Sequence, residues 1–286
     1  LNFSKSKSKV IELPAKVSEW YNSDTWLIGA ARGSAYPENL QDYYNSTDYP
    51  FYNWDYHQRG MGSGTAIGGT GYQRNTNGDI LINPSTGLPY ITSDYLPIGE
   101  RNPDFMIGLT NSVKYKNFNI SFLFDIRRGG DVLNGNEYYL YTRGLSTRNL
   151  DRENLVIMEG VLKDGLEYTA NPTKNNISLL PYTMGATFYQ AMAMEDFVEK
   201  DINWLRLRDI TLAYVFPADV ISKIKPISSV SLFSTMNDLF MITNYTGADP
   251  MVNGTTPATS GMGAFGFDYG SISLPKSITF GIRVSL

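Results

Sequence analysis

The sequence predicts an all-β chain: a transmembrane antiparallel β-barrel segment with long loops gathered at one end. Three observations carry this. Apolar and polar residues alternate with period two over runs about twice the ~5–6 residues of an ordinary strand. The connections between those runs alternate between minimal and very long. Aromatic residues, led by 20 Tyr, make up 13% of the 286 residues, while charged residues reach only 18%, against about 25% in a soluble domain.

The N-terminal part is the least regular. Leu1–Val10 reads as a strand with Trp26–Ala30 inside the first large loop; the alternative is a spanning hairpin of the two segments, turning near Pro14. Further on, Gly62-Ser63-Gly64 through Gly68-Gly69-Thr70-Gly71 has no following Lys-Ser/Thr. A loop is expected there, not a phosphate cradle. Asn75-Thr76-Asn77-Gly78-Asp79 sets oxygen side chains at alternate positions as a calcium loop does, but lacks the later glycine and bidentate Glu. Asn77-Gly78 between Tyr72–Arg74 and Ile80–Ile82 predicts a tight hairpin turn.

From Phe105 to Arg127 the pattern is clearest. Phe105, Ile107, Leu109, Val113 and Tyr115 occupy one parity, with Gly108, Thr110, Ser112 and Lys114 on the other. After Lys116-Asn117, Phe118, Ile120, Phe122, Phe124 and Ile126 alternate with Asn119, Ser121, Asp125 and Arg127. These are two strands of a long hairpin, each matching the ~9–11 residues of a tilted membrane strand. Asn203–Phe216, Ser229–Ile242 and Ser277–Leu286 repeat the theme, the second more weakly. In the last, Ile278, Phe280, Ile282, Val284 and Leu286 oppose Thr279, Gly281, Arg283 and Ser285. Lipid outside and water inside produce such an apolar-out, polar-in dyad. Lys114, Asn119, Ser121, Asp125 and Arg127 are thereby expected to face a lumen.

Residues 31–104, 128–201 and 243–274 read as large extracellular loops, whereas Lys116-Asn117 and Pro217–Ser228 are short turns. Tyr115 and Phe118 flank one short turn and Tyr214 and Phe216 approach the other, as an interfacial aromatic girdle would. Arg206 and Arg208 break the pattern, since they share parity with Ile210 and Leu212. Three readings stand open: a bulge between Leu207 and Ile210, a strand protruding into water, or a lipid-phosphate site. Ala186–Glu195, with Phe188, Met192 and Met194, is expected as a short helix in the outer cap.

Composition excludes several functions. With no Cys there is no disulfide, thiolate metal site or cysteine nucleophile. The single His57, in a loop, disfavours multi-histidine metal sites and triad hydrolases. No catalytic residue, metal or cofactor is expected. A net charge of −4 lacks the basic footprint of nucleic-acid binding. No apolar run approaches a membrane helix, no signal peptide is present, and Leu1 already lies in strand pattern. The chain is thus expected to be a piece of something longer.

Several motifs carry a family likeness. Asn102-Pro103-Asp104-Phe105, Gly108-Leu109-Thr110-Asn111, Tyr115-Lys116-Asn117-Phe118 and Arg127-Arg128-Gly129-Gly130-Asp131 come first. Trp204-Leu205-Arg206-Leu207-Arg208-Asp209 through Tyr214, Asn237-Asp238-Leu239-Phe240, Tyr245-Thr246-Gly247-Ala248-Asp249-Pro250 and Leu274–Gly281 follow in order. Together they resemble the C-terminal barrel of the SusC/RagA family of TonB-linked outer-membrane proteins. Asp238 departs from the family's usual uncharged residue. The resemblance implies six or seven strands of a plugged barrel of about 22, located in the bacterial outer membrane, with the plug domain absent from this chain.

It further implies a TonB-dependent importer of a bulky nutrient, a glycan or an oligopeptide. Its partners would be the rest of the same polypeptide, a SusD-like surface lipoprotein as lid, TonB through the missing N-terminal part, and outer-membrane lipid. The alternatives are a non-transporting structural barrel subunit, or a barrel client bound to the assembly machinery. Thr279, Gly281, Val284 and Leu286 have the spacing of the β-signal read by that machinery, although Leu286 replaces the more usual aromatic ending. Among the loop aromatics, Trp54, Tyr138, Tyr139 and Tyr245, with Asp249, are the expected ligand-binding residues.

Overall fold

The period-two runs become six strands: β1 (Asn2–Ser4), β2 (Phe105–Tyr115), β3 (Phe118–Arg128), β4 (Trp204–Val215), β5 (Ser229–Thr243) and β6 (Ser277–Ser285). The computed structural model describes residues 1–7, 66–92, 96–251, 253–254, 264–270 and 272–286. The six strands form one antiparallel sheet, each beside its neighbour in sequence, from β1 at one edge to β6 at the other. Up-and-down order follows from the turns. Tyr115 pairs directly with Phe118 across Lys116-Asn117, and Lys116 takes a left-handed φ of 51° to close so short a link. Asn117 donates its side-chain amide to the Val215 carbonyl at 2.8 Å, joining this turn to the end of β4.

Register fixes which residues share a face, because partners across a ladder point the same way. One row runs Ser112, Ser121, Thr211, Thr235 and Thr279 across β2 to β6. Within it the Thr211 and Thr235 hydroxyls lie 2.9 Å apart in a hydrogen bond. The next row, on the opposite face, runs Val113, Ile120, Leu212, Ser234 and Phe280, and the one beyond it Tyr115, Phe118, Tyr214, Leu232 and Ile282. Phe118 and Tyr214 stand 4.9 Å apart between ring centroids, and Tyr214 and Phe216 5.3 Å. The aromatic band beside the short turns is therefore contiguous.

The ladder slips once. Leu207 pairs with Phe124 and Asp209 with Leu123, so Arg208 is an extra residue on β4, and on the other side Asp238 and Leu239 of β5 stand against it. The bulge reverses parity, placing Arg206 on the polar face and Ile210 on the apolar one. Of the three readings of the arginines, the bulge is what the chain adopts.

At the long-loop end the chain builds a second layer of short elements. Ala66–Gly69 pairs with Leu96–Glu100, Leu81–Ile82 with Val161–Leu162, and Val156–Ile157 with Ser178–Leu179. Val132–Asn134 is flanked by Val198–Glu199 and Phe267–Asp268. Helix α1 (Gly135–Thr142) starts on Asn134, whose side-chain oxygen accepts from the Glu137 amide, one of the free N–H groups of a helix start. Asn77-Gly78 forms the expected turn, with Arg74 bridged to Ile80 and Asn75 Oδ1 accepting from the amides of Asn77 and Asp79 at 3.0 and 2.8 Å. Residues 186–195 do not form one helix. Ala186–Gln190 is helical, and after a break Met194–Phe197 forms a 3-10 turn. The break lets Phe188, Met192 and Met194 all enter one core with Ile67, Leu133, Phe197 and Phe267.

Candidate functional site

The five residues expected to face a lumen lie on one face of the sheet. Lys114 pairs with Asn119, Ser121 with Ser112, Asp125 with Gly108 and Arg127 with Met106. Toward the long-loop end this face becomes ionic. Arg206 pairs with Asp249 and lies 3.5 Å from Asp238, while Arg208 reaches Asp125 at 3.6 Å and Asp238 at 3.8 Å. Asp238 thus sits between two guanidiniums, with a left-handed φ of 49° at the slip in the ladder. That arrangement accounts for a carboxylate at a position whose sequence context offered no reason for one. Arg127, 1% exposed, stacks over the Trp204 ring at 4.9 Å and donates to the carbonyls of Gly129 and Arg101.

The loop residues divide. Trp54 and His57, with Tyr43, Tyr44, Tyr49, Tyr52 and Tyr56, lie outside the described residues, as does the Trp26–Ala30 segment. Tyr139 is 46% exposed and meets Tyr269 edge-on at 6.4 Å, and Tyr138 is half-buried, edge-on to Phe197 at 5.2 Å. Burial pushes the Tyr138 phenol above its ordinary range. Tyr245 and Asp249 are enclosed instead of offered to solvent. The Tyr245 hydroxyl donates to Asp268 at 2.7 Å, and burial together with that carboxylate holds its pKa far above the usual value. Its ring packs with Val132, Ile202 and Trp204. Asp249 is the partner of Arg206 and accepts from the Met251 amide at 2.9 Å. These two residues fasten the loop after β5 onto the polar face.

The loop layer is tied across long sequence separations. Tyr72 donates to Asp196, and Arg74 meets Glu195 at 2.7 Å. Burial raises the Tyr72 phenol, with the Asp196 hydrogen bond adding to it. An open pocket of about 380 Å³ lies between the end of α1 and the 181–190 segment, where Arg143, Arg152, Tyr182 and Gln190 line it. No spacing or periodicity marked these four in the sequence, because they come from three separate loop segments.

The expected β-signal residues lie on or just beyond β6. Thr279 pairs with Thr235, Gly281 with Phe233 and Val284 with Val230, and Leu286, 84% exposed, follows the strand. The other edge of β6 has no strand partner among the described residues. Gly281 has a second reason to be glycine, since a Cβ there would collide with the Phe233 ring.

No protein-family model matches the chain. The TonB-dependent receptor P3 of Formosa agariphila is 23% identical over 294 residues, covering 99% of this chain and 26% of its own length. Receptor P26 of the same organism is 26% identical over 231 residues, covering 79% of this chain and 20% of its own. The chain therefore spans about a quarter or less of the length of these relatives. Among solved structures, the RagAB peptide importer in its closed-closed state aligns at 15% identity and a TM-score of 0.46, covering 77% of this chain and 23% of that one. The chain is thus similar along 99% of its length to one TonB-dependent receptor and along 79% to another, and its motifs stand in the order that the SusC/RagA resemblance implies.

Proposed function

We propose that the chain supplies barrel wall and extracellular loops to a TonB-dependent importer in the bacterial outer membrane. The observation that carries this is the two-faced sheet. Ile278, Phe280 and Ile282 are 56%, 77% and 67% exposed in a continuous apolar face, while the opposite face holds the Ser/Thr row and the arginine–carboxylate cluster. Hydrocarbon against the first and an aqueous interior against the second satisfy both without an unpaired charge in lipid. Residues 31–104, 128–201 and 243–274 are then the extracellular loops, and Lys114, Asn119, Ser121 and Asp125 line the lumen, with Arg127 on the same face but buried against Trp204.

The substrate in this reading is a bulky nutrient, a glycan or an oligopeptide, and a SusD-like lipoprotein closes over the loops. The rest of the polypeptide supplies the plug, the TonB contact and the remaining strands, which pair with the two sheet edges that have no strand partner among the described residues. The chain breaks no bond; its chemistry is reversible binding. The test is uptake of fluorescent oligosaccharides and oligopeptides by cells carrying the full-length receptor, with and without TonB. Uptake that requires both receptor and TonB is expected. Uptake indifferent to the receptor, with weakened envelope integrity on its deletion, would favour a structural subunit.

A further inference from the structure

The pocket beside α1 backs onto the loop core through Tyr189, and its charge is unbalanced. Arg74, Arg206 and Arg208 each meet a carboxylate, Glu195, Asp249 and Asp125 in turn, while buried Arg127 donates to two backbone carbonyls. Arg143 and Arg152 have no ion pair among the described residues, and no Asp or Glu lines the pocket with them. The cavity, about 380 Å³, falls within the ~300–1,000 Å³ of small-ligand sites.

Its walls are shaped for more than charge. The Arg143 guanidinium lies over the Tyr139 ring at 5.3 Å, which holds it in place without neutralising it. Tyr182, 64% exposed, presents a ring at the mouth, and Gln190 adds an amide. Gly185, with φ 54° and ψ −130°, adopts a backbone closed to other residues and makes the bend that sets Tyr182 and Gln190 on one opening. The Tyr189 ring is buried in the lining, and its hydroxyl has no hydrogen-bond partner among the described residues.

We propose that this pocket binds a carboxylate group of the imported substrate. Arg143 and Arg152 take its oxygens as a paired fork, the Tyr182 ring packs on the unit that carries it, and Gln190 hydrogen-bonds that unit's polar edge. The inference rests on the transport reading for what the ligand is, though not for whether the pocket binds. Two sources share the chemistry, a uronate oligosaccharide and an acidic oligopeptide, and the experiment separates them.

Purified full-length receptor is titrated with hexagalacturonate, with a Glu-Ala hexapeptide and with neutral maltohexaose and an Ala-Gln hexapeptide. At least one acidic probe should bind about tenfold tighter than its neutral counterpart, with affinity falling as salt rises. The Arg143→Gln/Arg152→Gln double variant should lose that preference and leave neutral binding unchanged. Preference for the uronate alone assigns a glycan, and preference for the peptide alone assigns a peptide. No acidic preference, or a preference that survives in the double variant, overturns the proposal. Because the two exposed arginines hold no ion pair among the described residues, the variant should fold, and an unchanged Tm verifies it. TonB-dependent uptake insensitive to both substitutions would sink the pocket and keep the importer; charge-dependent binding without TonB-dependent uptake would do the reverse.

Discussion

In the sheet, Phe280 is 77% exposed and Ile282 67%; in the loop layer, Leu133, Phe197 and Phe267 are 0%, 2% and 2% exposed. The two regions use apolar residues under opposite rules. The loop layer has a conventional core, in which burial away from water and close packing stabilise the fold. The sheet has a small buried cluster only at its long-loop end, where Trp204, Met106 and Met241 pack with Val132, Ile202 and Tyr245. Elsewhere its strands are held by backbone ladders and cross-strand rows, and Ile278, Phe280 and Ile282 stand exposed on one face. The difference shows that burial against protein accounts for the apolar residues of the loop layer but not for those on the open face of the sheet.

That comparison can be broken by truncation. Phe197→Ala should cost about 3–5 kcal/mol through lost burial and a cavity in the loop core, read in the full-length receptor as protease sensitivity of its outer loops. Phe280→Ala, on the open face, should leave detergent-solubilised stability nearly unchanged. Similar losses at both sites would show that the sheet's apolar face packs against protein after all.

Charge sharpens the face assignment. Phe122→Arg, in the row of Ile210, Met236 and Ile278, should lose about 2–4 kcal/mol if it meets hydrocarbon near the midplane. Ser121→Arg, one residue along and facing the Thr row, should be tolerated. Outer-membrane levels of the two full-length variants decide it, and equal tolerance would reverse the faces.

A smaller effect tests the polar face at its edge. Gly281→Ala should cost about 1–3 kcal/mol by overpacking against the Phe233 ring, and Phe233→Ala in the same molecule should recover part of the loss, a coupling measured by a double-mutant cycle. If the loss persists with Phe233 truncated, glycine at 281 serves recognition instead of packing. The smallest folding effect belongs to the chain's last residue. Leu286→Asp near the membrane interface should cost only about 0–1 kcal/mol, yet reduce outer-membrane delivery well below that of Ser285→Asp if an assembly factor reads it. Normal insertion of both would leave the ending an ordinary strand.

Much of the sheet was legible because its signal is local. Alternation from Phe105 to Tyr115, and strict alternation from Ser277 to Ser285, specify extended strands with two unlike faces, and a two-residue link leaves antiparallel pairing as the simple closure. The loop layer was far less legible. Its core joins Ile67, Leu133, Phe188, Phe197 and Phe267, residues from distant segments with no shared period. Tyr245 and Asp249 illustrate the cost: in the sequence they read as loop residues ready for a ligand, while in the fold a buried hydrogen bond and an ion pair enclose them.

By itself, the sequence determined the all-β class, the long strands, the alternation of short and long connections and the identity of the two faces, because period two is written residue by residue. Tertiary structure alone decided that Arg208 is the extra residue of a bulge, that Asp238 lies between two guanidiniums, and that Arg143 and Arg152 meet at one pocket without a carboxylate. Register slips and long-range charge pairing depend on the spatial partner of each residue. That partner is chosen by the whole chain, not by its neighbours in sequence.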